Sequence, residues 1–419
     1  LACLDMASGS VVWKRPLPAA LDGPPTVVGD RLFIGCRSGE VYSLHTSDGE
    51  LAWKYRAAPL IRLSLHDDRL EGVWPVSSSV VYHGRLIYAV AGRNSYLDGG
   101  IRLVALDPAT GTLKHHLVLD GPWPTEEQMR AGVINEREYL REKAPEKQKE
   151  ILEAIRDQHA TGYAMKGADA DLLVTDGQDL YMTQNKFTPE LEQIHLRREG
   201  WIGLTPMGGQ HMMAQNSFAD DTMYHRNFWL YGDTWPGKAG GSGLAARGGT
   251  MVAVGKERTY AAKHYEGGWY PKHRPGSGNR IVADTFDTVN IRGDKVDSEA
   301  QKAKGLRPWG NFSDYMRTEK PIWEATVPLI VRAMLVATGA DGRELVFSAG
   351  VLEGASREEW DRAGQLETPA KLLVHDGATG EQLAEYDLPD CPVFDGLSAA
   401  EGKIMVAIPN REVPIMRPD

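Results

Sequence analysis

The chain reads as an all-β protein, a single β-propeller of four-stranded antiparallel blades carrying helical insertions. Two interleaved phrases and the composition predict it. The first phrase is an apolar strand, Asp, three turn residues, Gly, then a strand with an apolar or aromatic residue four beyond the Gly. It stands at Leu4/Asp5/Gly9/Trp13, at Leu44/Gly49/Trp53, at Leu106/Asp107/Gly111 and at Asp376/Gly380. Both arms alternate and the Gly supplies positive φ, so each copy is a β-hairpin. The second phrase is an Asp or Gly turn before an apolar strand. It opens at Gly29, His83, Thr175, Arg247, Ala340 and Ala400. Hairpins recurring at blade-sized intervals indicate radial repetition. With 419 residues, 42% hydrophobic, 45 Gly and 24 Pro, the chain can bury a large core and supply the turns such a fold needs.

Within a blade the order is strand A, turn, strand B, loop, strand C, Gly turn, strand D. Six blades are countable, a degenerate one between Gly200 and Trp235 makes seven, and eight stays open. The chain opens on a C–D hairpin at Leu1–Lys14 and closes on an A–B pair from Cys391 to Ile408. Residues 1–419 are therefore expected to form one domain with both termini in one blade, which removes an exposed sheet edge. Three insertions interrupt it. Residues 122–160 are expected to be helical, with capping-box spacings at Thr125/Gln128 and Asn135/Glu138, Pro145 at a first helical position, and Ile151, Leu152 and Ile155 on one stripe. Residues 287–320 read as a polar loop, and 353–364 as a short helix around Trp360.

The hairpin frame resembles the pyrroloquinoline-quinone-type (PQQ-like) propeller repeat. Trp13 and Trp53 stand where that family has its Trp, whereas His115 and Ala384 replace it in two copies, and His45 replaces the Asp in one. The resemblance implies that the Trp packs between neighbouring blades and that the two replaced positions have looser interfaces. It also implies a range of functions. The same repeat occurs in quinoprotein dehydrogenases, in a non-catalytic outer-membrane assembly lipoprotein and in secreted proteins. PQQ with calcium is the cofactor this implies for the catalytic case. The adjacent cysteine pair of quinoprotein alcohol dehydrogenases has no counterpart among Cys3, Cys36 and Cys391. Those three read as small hydrophobes, one disulfide among them remaining conceivable.

Candidate site residues sit where strand A should face the propeller axis. Trp74, Ser77 and Ser79 lie on one such segment, and Tyr224, His225, Arg226 and Asn227 on another. Arg332 and Asp395 each interrupt an apolar run, where a charge is costly unless paired or facing water. Two readings stay open: a structural Arg–Asp tether, or the floor of a site for an anionic or sugar-like ligand formed by Trp74, Arg226, Arg332 and Asp395. His225 beside Arg226 is the candidate general base. The loop GRNSYLDGGIR adds Arg93 and Asp98, either as ligand donors or as an Asx-type turn holding its own backbone. His211, His225, His264 and His273 fall in one third of the chain, but no pair has a tight ligand spacing, so no metal site is predicted.

The net charge of −10 disfavours duplex nucleic acid and anionic membranes as partners. No apolar run approaches the roughly 20 residues of a membrane span. The leading expectation is a periplasmic or extracellular scaffold that binds a small polar ligand or a protein partner. A quinoprotein sugar or alcohol oxidoreductase and a carbohydrate-active hydrolase or lyase are the alternatives.

Overall fold

A computed structural model describes residues 1–66, 69–95, 97–120, 145–147, 149, 170–183, 185–194, 196, 205–214, 229–235, 248–263, 279–286, 321–354, 356–364 and 366–409. The described residues are almost entirely β-strand and turn, as expected. They fall into two compact units, Leu1–His225 with Asp233–Trp235, and Arg226–Gly232 with Pro236–Asp419.

The first unit opens on the hairpin Ala2–Leu4/Val11–Lys14, the expected C–D pair. Three four-stranded antiparallel meanders follow, each with its strands in chain order. The first blade is Thr26–Val28, Arg31–Cys36, Glu40–His45 and Leu51–Arg56. The second is Val81–His83, Leu86–Ala91, Ile101–Leu106 and Leu113–Leu119. The third is Leu173–Thr175, Leu180–Met182, Asn185–Phe187 and Gln193–Ile194. Strands Thr205–Ala214 and Trp229–Trp235 occupy the interval where a degenerate blade was expected. The second unit holds two more blades. One is Met251–Val254, Arg258–Lys263, Asn279–Thr285 and Trp323–Val327, and the other is Leu329–Thr338, Glu344–Leu352, Ala370–Asp376 and Gln382–Leu388. The hairpin Leu397–Ala400/Lys403–Val406 follows as a separate two-stranded sheet, where an A–B pair was expected.

The repeated frame has a physical cause in each part. The Asp carboxylate closes its own turn. Asp5 accepts from the Ala7 and Ser8 N–H groups, Asp107 from Ala109 and Thr110, and Asp376 from Ala378 and Thr379, at 2.7–3.1 Å. Hydrogen bonding, led by the Ser8 hydroxyl at Asp5 and the Thr110 N–H at Asp107, holds both carboxyls below the ordinary aspartate range. The Gly that ends the turn is left-handed, with φ of 71° at Gly9, 69° at Gly49, 71° at Gly111 and 77° at Gly380.

Three of these glycines also receive a tryptophan. The Trp13 ring lies on Gly49, Trp53 on Gly111 and Trp323 on Gly380, so close that a Cβ on the glycine would fall 2.6–2.7 Å from the ring. Each indole N–H donates into the same turn, Trp13 to Thr46 O, Trp53 to Pro108 O and Trp323 to Gly377 O, at 2.9–3.0 Å. Each strand D thus docks on the C–D turn that comes next along the chain. A strand-B aromatic backs two of these tryptophans: Phe33 lies 5.7 Å from Trp53 and Tyr260 5.9 Å from Trp323.

The interface after His115 departs from expectation. It is not left loose. The Tyr88 hydroxyl of strand B donates to Pro189 O at 2.8 Å, the carbonyl role that Thr46 and Pro108 play elsewhere. Leu191, fully buried at φ 64°, takes the left-handed turn position and fills the space against Leu103, Leu119 and Leu180. A tyrosine and a leucine there replace the tryptophan and glycine.

Two strand-A placements are corrected. Trp74, Ser77 and Ser79 precede the strand, which spans only Val81–His83. The buried run before it is held singly, through Val76 N–H to Cys36 O at 3.1 Å and Gly92 N–H to Pro75 O at 3.0 Å. Asp395 likewise lies in a turn, at φ 55°, before Leu397–Ala400. The short helix is found at Arg357–Gly364, closed by a capping box in which Ser356 Oγ accepts from Glu359 N–H at 3.1 Å and Glu359 returns the bond to Ser356 N–H at 3.0 Å. Of 122–160, residues 145–147 are helical and exposed. The remaining expectations for 122–160 and the loop 287–320 lie outside the described residues. All three cysteines are free, Cys36 and Cys391 being buried.

Candidate functional site

Between the first and second blades the chain makes an extra two-stranded hairpin, Leu63–His66 with Arg69–Gly72. Alternation sorts its residues onto two faces. Leu63, Leu65 and Leu70 are 56%, 73% and 66% exposed, and Ile61 before them is 74% exposed. Glu71, on the opposite face, is 2% exposed. An isolated buried carboxylate would be expelled or neutralised. Here Glu71 pairs with Arg93 and with Arg37, the latter at 2.8 Å. Arg37 in turn pairs with Asp22 at 2.5 Å.

This brace collects three of the expected site residues. Arg93 is committed to Glu71. Trp74, buried, donates its indole N–H to Asp98 O at 3.1 Å. The Asp98 carboxylate takes Arg62 at 3.0 Å, and its backbone is left-handed at φ 54°. Gly99 and Gly100 follow at φ 79° and 91°, where a side chain is disfavoured. The loop of Arg93 and Asp98 is thus tied to Glu71, Arg62 and Trp74, residues outside the loop itself. The Arg37 and Arg93 pairs with Glu71 hold an apolar hairpin at the surface.

Arg332 and Asp395 meet in the second unit, but through the backbone. The Asp395 N–H donates to the Arg332 carbonyl at 2.9 Å. Their side chains form no ion pair. Arg332 sits at a bulge between Val331 and Ala333, its guanidinium 5.4 Å from the ring centroid of Phe394. Its Nε is buried without a hydrogen-bond partner among the described residues. His225 and Arg226 lie outside the described residues.

Sequence reasoning missed a second polar cluster in the third blade. Tyr181 stacks on His211 with centroids 3.8 Å apart and planes 12° apart. The Tyr181 hydroxyl donates to Asp176 at 2.7 Å, and Lys186 pairs with Asp179 at 2.9 Å. The His211 Nδ1 donates to Gly209 O at 2.8 Å, which leaves Nε2 as a buried lone pair without a partner among the described residues. Burial lowers the His211 pKa to about 4, so the ring is neutral. Among the described residues no group of three His, Cys, Asp or Glu side chains is placed to hold a metal ion.

A family profile described as outer membrane protein assembly factor BamB matches residues 1–138. The chain is 34% identical over 91 residues to polyvinylalcohol dehydrogenase of Pseudomonas sp, a segment covering 22% of this chain and 14% of that one. It is 44% identical over 46 residues to BamB of Escherichia coli (strain K12), covering 11% of this chain and 12% of that one. The matched segments thus span under a sixth of either relative's length. Among solved structures, BamB from Moraxella catarrhalis aligns over 95% of this chain and 83% of its own, with a TM-score of 0.43 and 11% identity. A europium-containing methanol dehydrogenase aligns over 93% of this chain and 75% of its own, with a TM-score of 0.42 and 9% identity. No helix among the described residues is long and apolar enough to cross a membrane. With the profile match over residues 1–138, and the same Asp–Gly hairpin and docked tryptophan returning at Trp323 and Gly380, the chain carries PQQ-like repeats.

Proposed function

We propose that this chain is a protein-binding scaffold of the periplasm or extracellular space, and that the hairpin Leu63–Gly72 is its docking arm. One observation carries the reading. Three leucines stand more than half exposed on one face, with exposed Ile61 just before them, while the other face is locked by a buried carboxylate between two arginines. Apolar surface held out this firmly marks an interaction site. The likeness to an assembly factor over residues 1–138 agrees with it. The test compares the full chain with a Leu63→Asp/Leu65→Asp/Leu70→Asp variant. The variant is expected to melt as the parent does and to lose most of the parent's binding of the apolar dye anilinonaphthalene sulfonate. Equal dye binding by the two would refute the reading.

The 91-residue likeness to polyvinylalcohol dehydrogenase supports a second reading, a quinoprotein oxidoreductase using PQQ with calcium, with His225 as base and Arg226 beside it. A shifted quinone absorption band on adding PQQ and calcium, together with dye reduction by an alcohol or sugar, would favour this reading over the scaffold.

A further inference from the structure

We propose that the outer edge of Leu63–His66 pairs with the same edge of a second copy of this chain, forming a two-fold dimer with its axis at Ser64. The proposal rests on the docking-arm reading and names the partner.

The hydrogen-bond pattern shows which edge is open. The Val73 N–H donates to the Arg62 carbonyl at 2.9 Å, so residues 62 and 73 are a hydrogen-bonded pair. Bonded and non-bonded pairs alternate along an antiparallel ladder. In the observed register, Leu63 faces Gly72, Ser64 faces Glu71 and Leu65 faces Leu70. Ser64 and Glu71 therefore bond to each other, while the N–H and C=O groups of Leu63, Leu65, Leu70 and Gly72 point outward. The Gly72 N–H confirms the phase, because it donates away from the hairpin to Arg37 O at 2.7 Å. That bond ties the Arg69–Gly72 edge to the first blade. Among the described residues the Leu63–His66 edge has no strand beside it, since the hairpin is a two-stranded sheet.

An open edge with exposed leucines and no lysine is a template for strand addition. The segment Leu63-Ser64-Leu65 is palindromic. Antiparallel pairing about Ser64 sets Leu63 of one copy opposite Leu65 of the other, and the reverse. All four outward backbone groups of each copy then bond across the axis. The same register keeps both outer faces on one side, so Leu63, Leu65 and Leu70 of the two copies join into one stripe. Such an interface is isologous and closes after two copies. Its leucine stripe is small beside the roughly 1,200–2,000 Å² of a stable interface, so the dimer forms reversibly as concentration rises.

The test uses the full chain in sedimentation velocity across the micromolar range. The weight-average mass is expected to rise with concentration towards twice that of the monomer. Leu65→Lys, which places two cations across the axis, is expected to stay monomeric with unchanged circular dichroism and melting. A Ser64→Cys variant is expected to form a disulfide-linked dimer on mild oxidation, because Ser64 would meet its counterpart in a non-bonded pair with Cβ atoms about 4.5–5.5 Å apart. A parent chain monomeric at every concentration, with Ser64→Cys remaining unlinked, overturns the dimer. In that event, dye binding that still depends on the three leucines leaves the docking arm standing for another partner, and dye binding that does not depend on them removes both.

Discussion

Replacing Gly111 by Ala measures how tightly the Trp53 ring is docked. Two effects act at this glycine. Its φ is 71°, where an L-residue costs about 1–2 kcal/mol. The new methyl would also fall 2.7 Å from Cδ2 and Cε3 of Trp53, so the ring or the turn must shift. Overpacking of this kind costs about 1–3 kcal/mol. Gly9 separates the two effects, because it has the same φ of 71° but nothing within 4 Å of its would-be Cβ. Gly9→Ala should therefore lose about 1–2 kcal/mol, and Gly111→Ala about 2–5 kcal/mol. Urea unfolding followed by circular dichroism gives both values, provided the slopes match. Repeating the pair in a Trp53→Leu background should shrink the gap, since the clash needs the indole. Equal losses for the two glycines in the parent chain would refute the docking argument.

Two further outcomes follow from buried charge. The unfolded chain protonates His211 near pH 6.5, whereas the folded ring accepts a proton only near pH 4, so stability falls as pH drops through that window and levels off below it. At about 1.4 kcal/mol per unit the full loss is about 3 kcal/mol. His375, also held low by burial, adds to the same slope. His211→Phe should flatten its share of a pH series of urea midpoints, and an unchanged series would show that the imidazole is reached by water. Glu71→Ala leaves Arg37 and Arg93 facing each other without their shared anion, which should cost about 3–5 kcal/mol and expose the hairpin to limited proteolysis. A loss under about 1 kcal/mol would mean that the brace is solvated and of surface strength.

The blade frame was legible because its parts are local. Asp, Gly and the next strand lie within nine residues at Asp5, Gly9 and Trp13, and short-range turn chemistry dictates their identities. Trp323 performs the same task unseen, since the segment from 287 to 320 separates it from its strand C. Tyr88 and Leu191 were illegible as a replacement for Trp and Gly, because they come from different blades and neither fits the frame. Strand A was placed too early at Trp74. An apolar run resembles a strand whether its backbone pairs along a ladder or is tied at two points. The hairpin brace joins Asp22, Arg37, Glu71 and Arg93 across four segments. Nothing in the spacing of those residues connects them; only the fold does.

The tryptophan lock gives each blade two separable roles, sender and receiver. A blade sends through its strand D and receives on its C–D turn. The blade that ends at Val327 still sends, because Trp323 reaches Gly380, although the stretch from 287 to 320 stands where its own Asp–Gly turn would be. An insertion at a C–D turn therefore leaves the outgoing lock intact. Long segments can be accommodated at such turns, and a sequence can gain a new loop without a compensating change in the blade that follows.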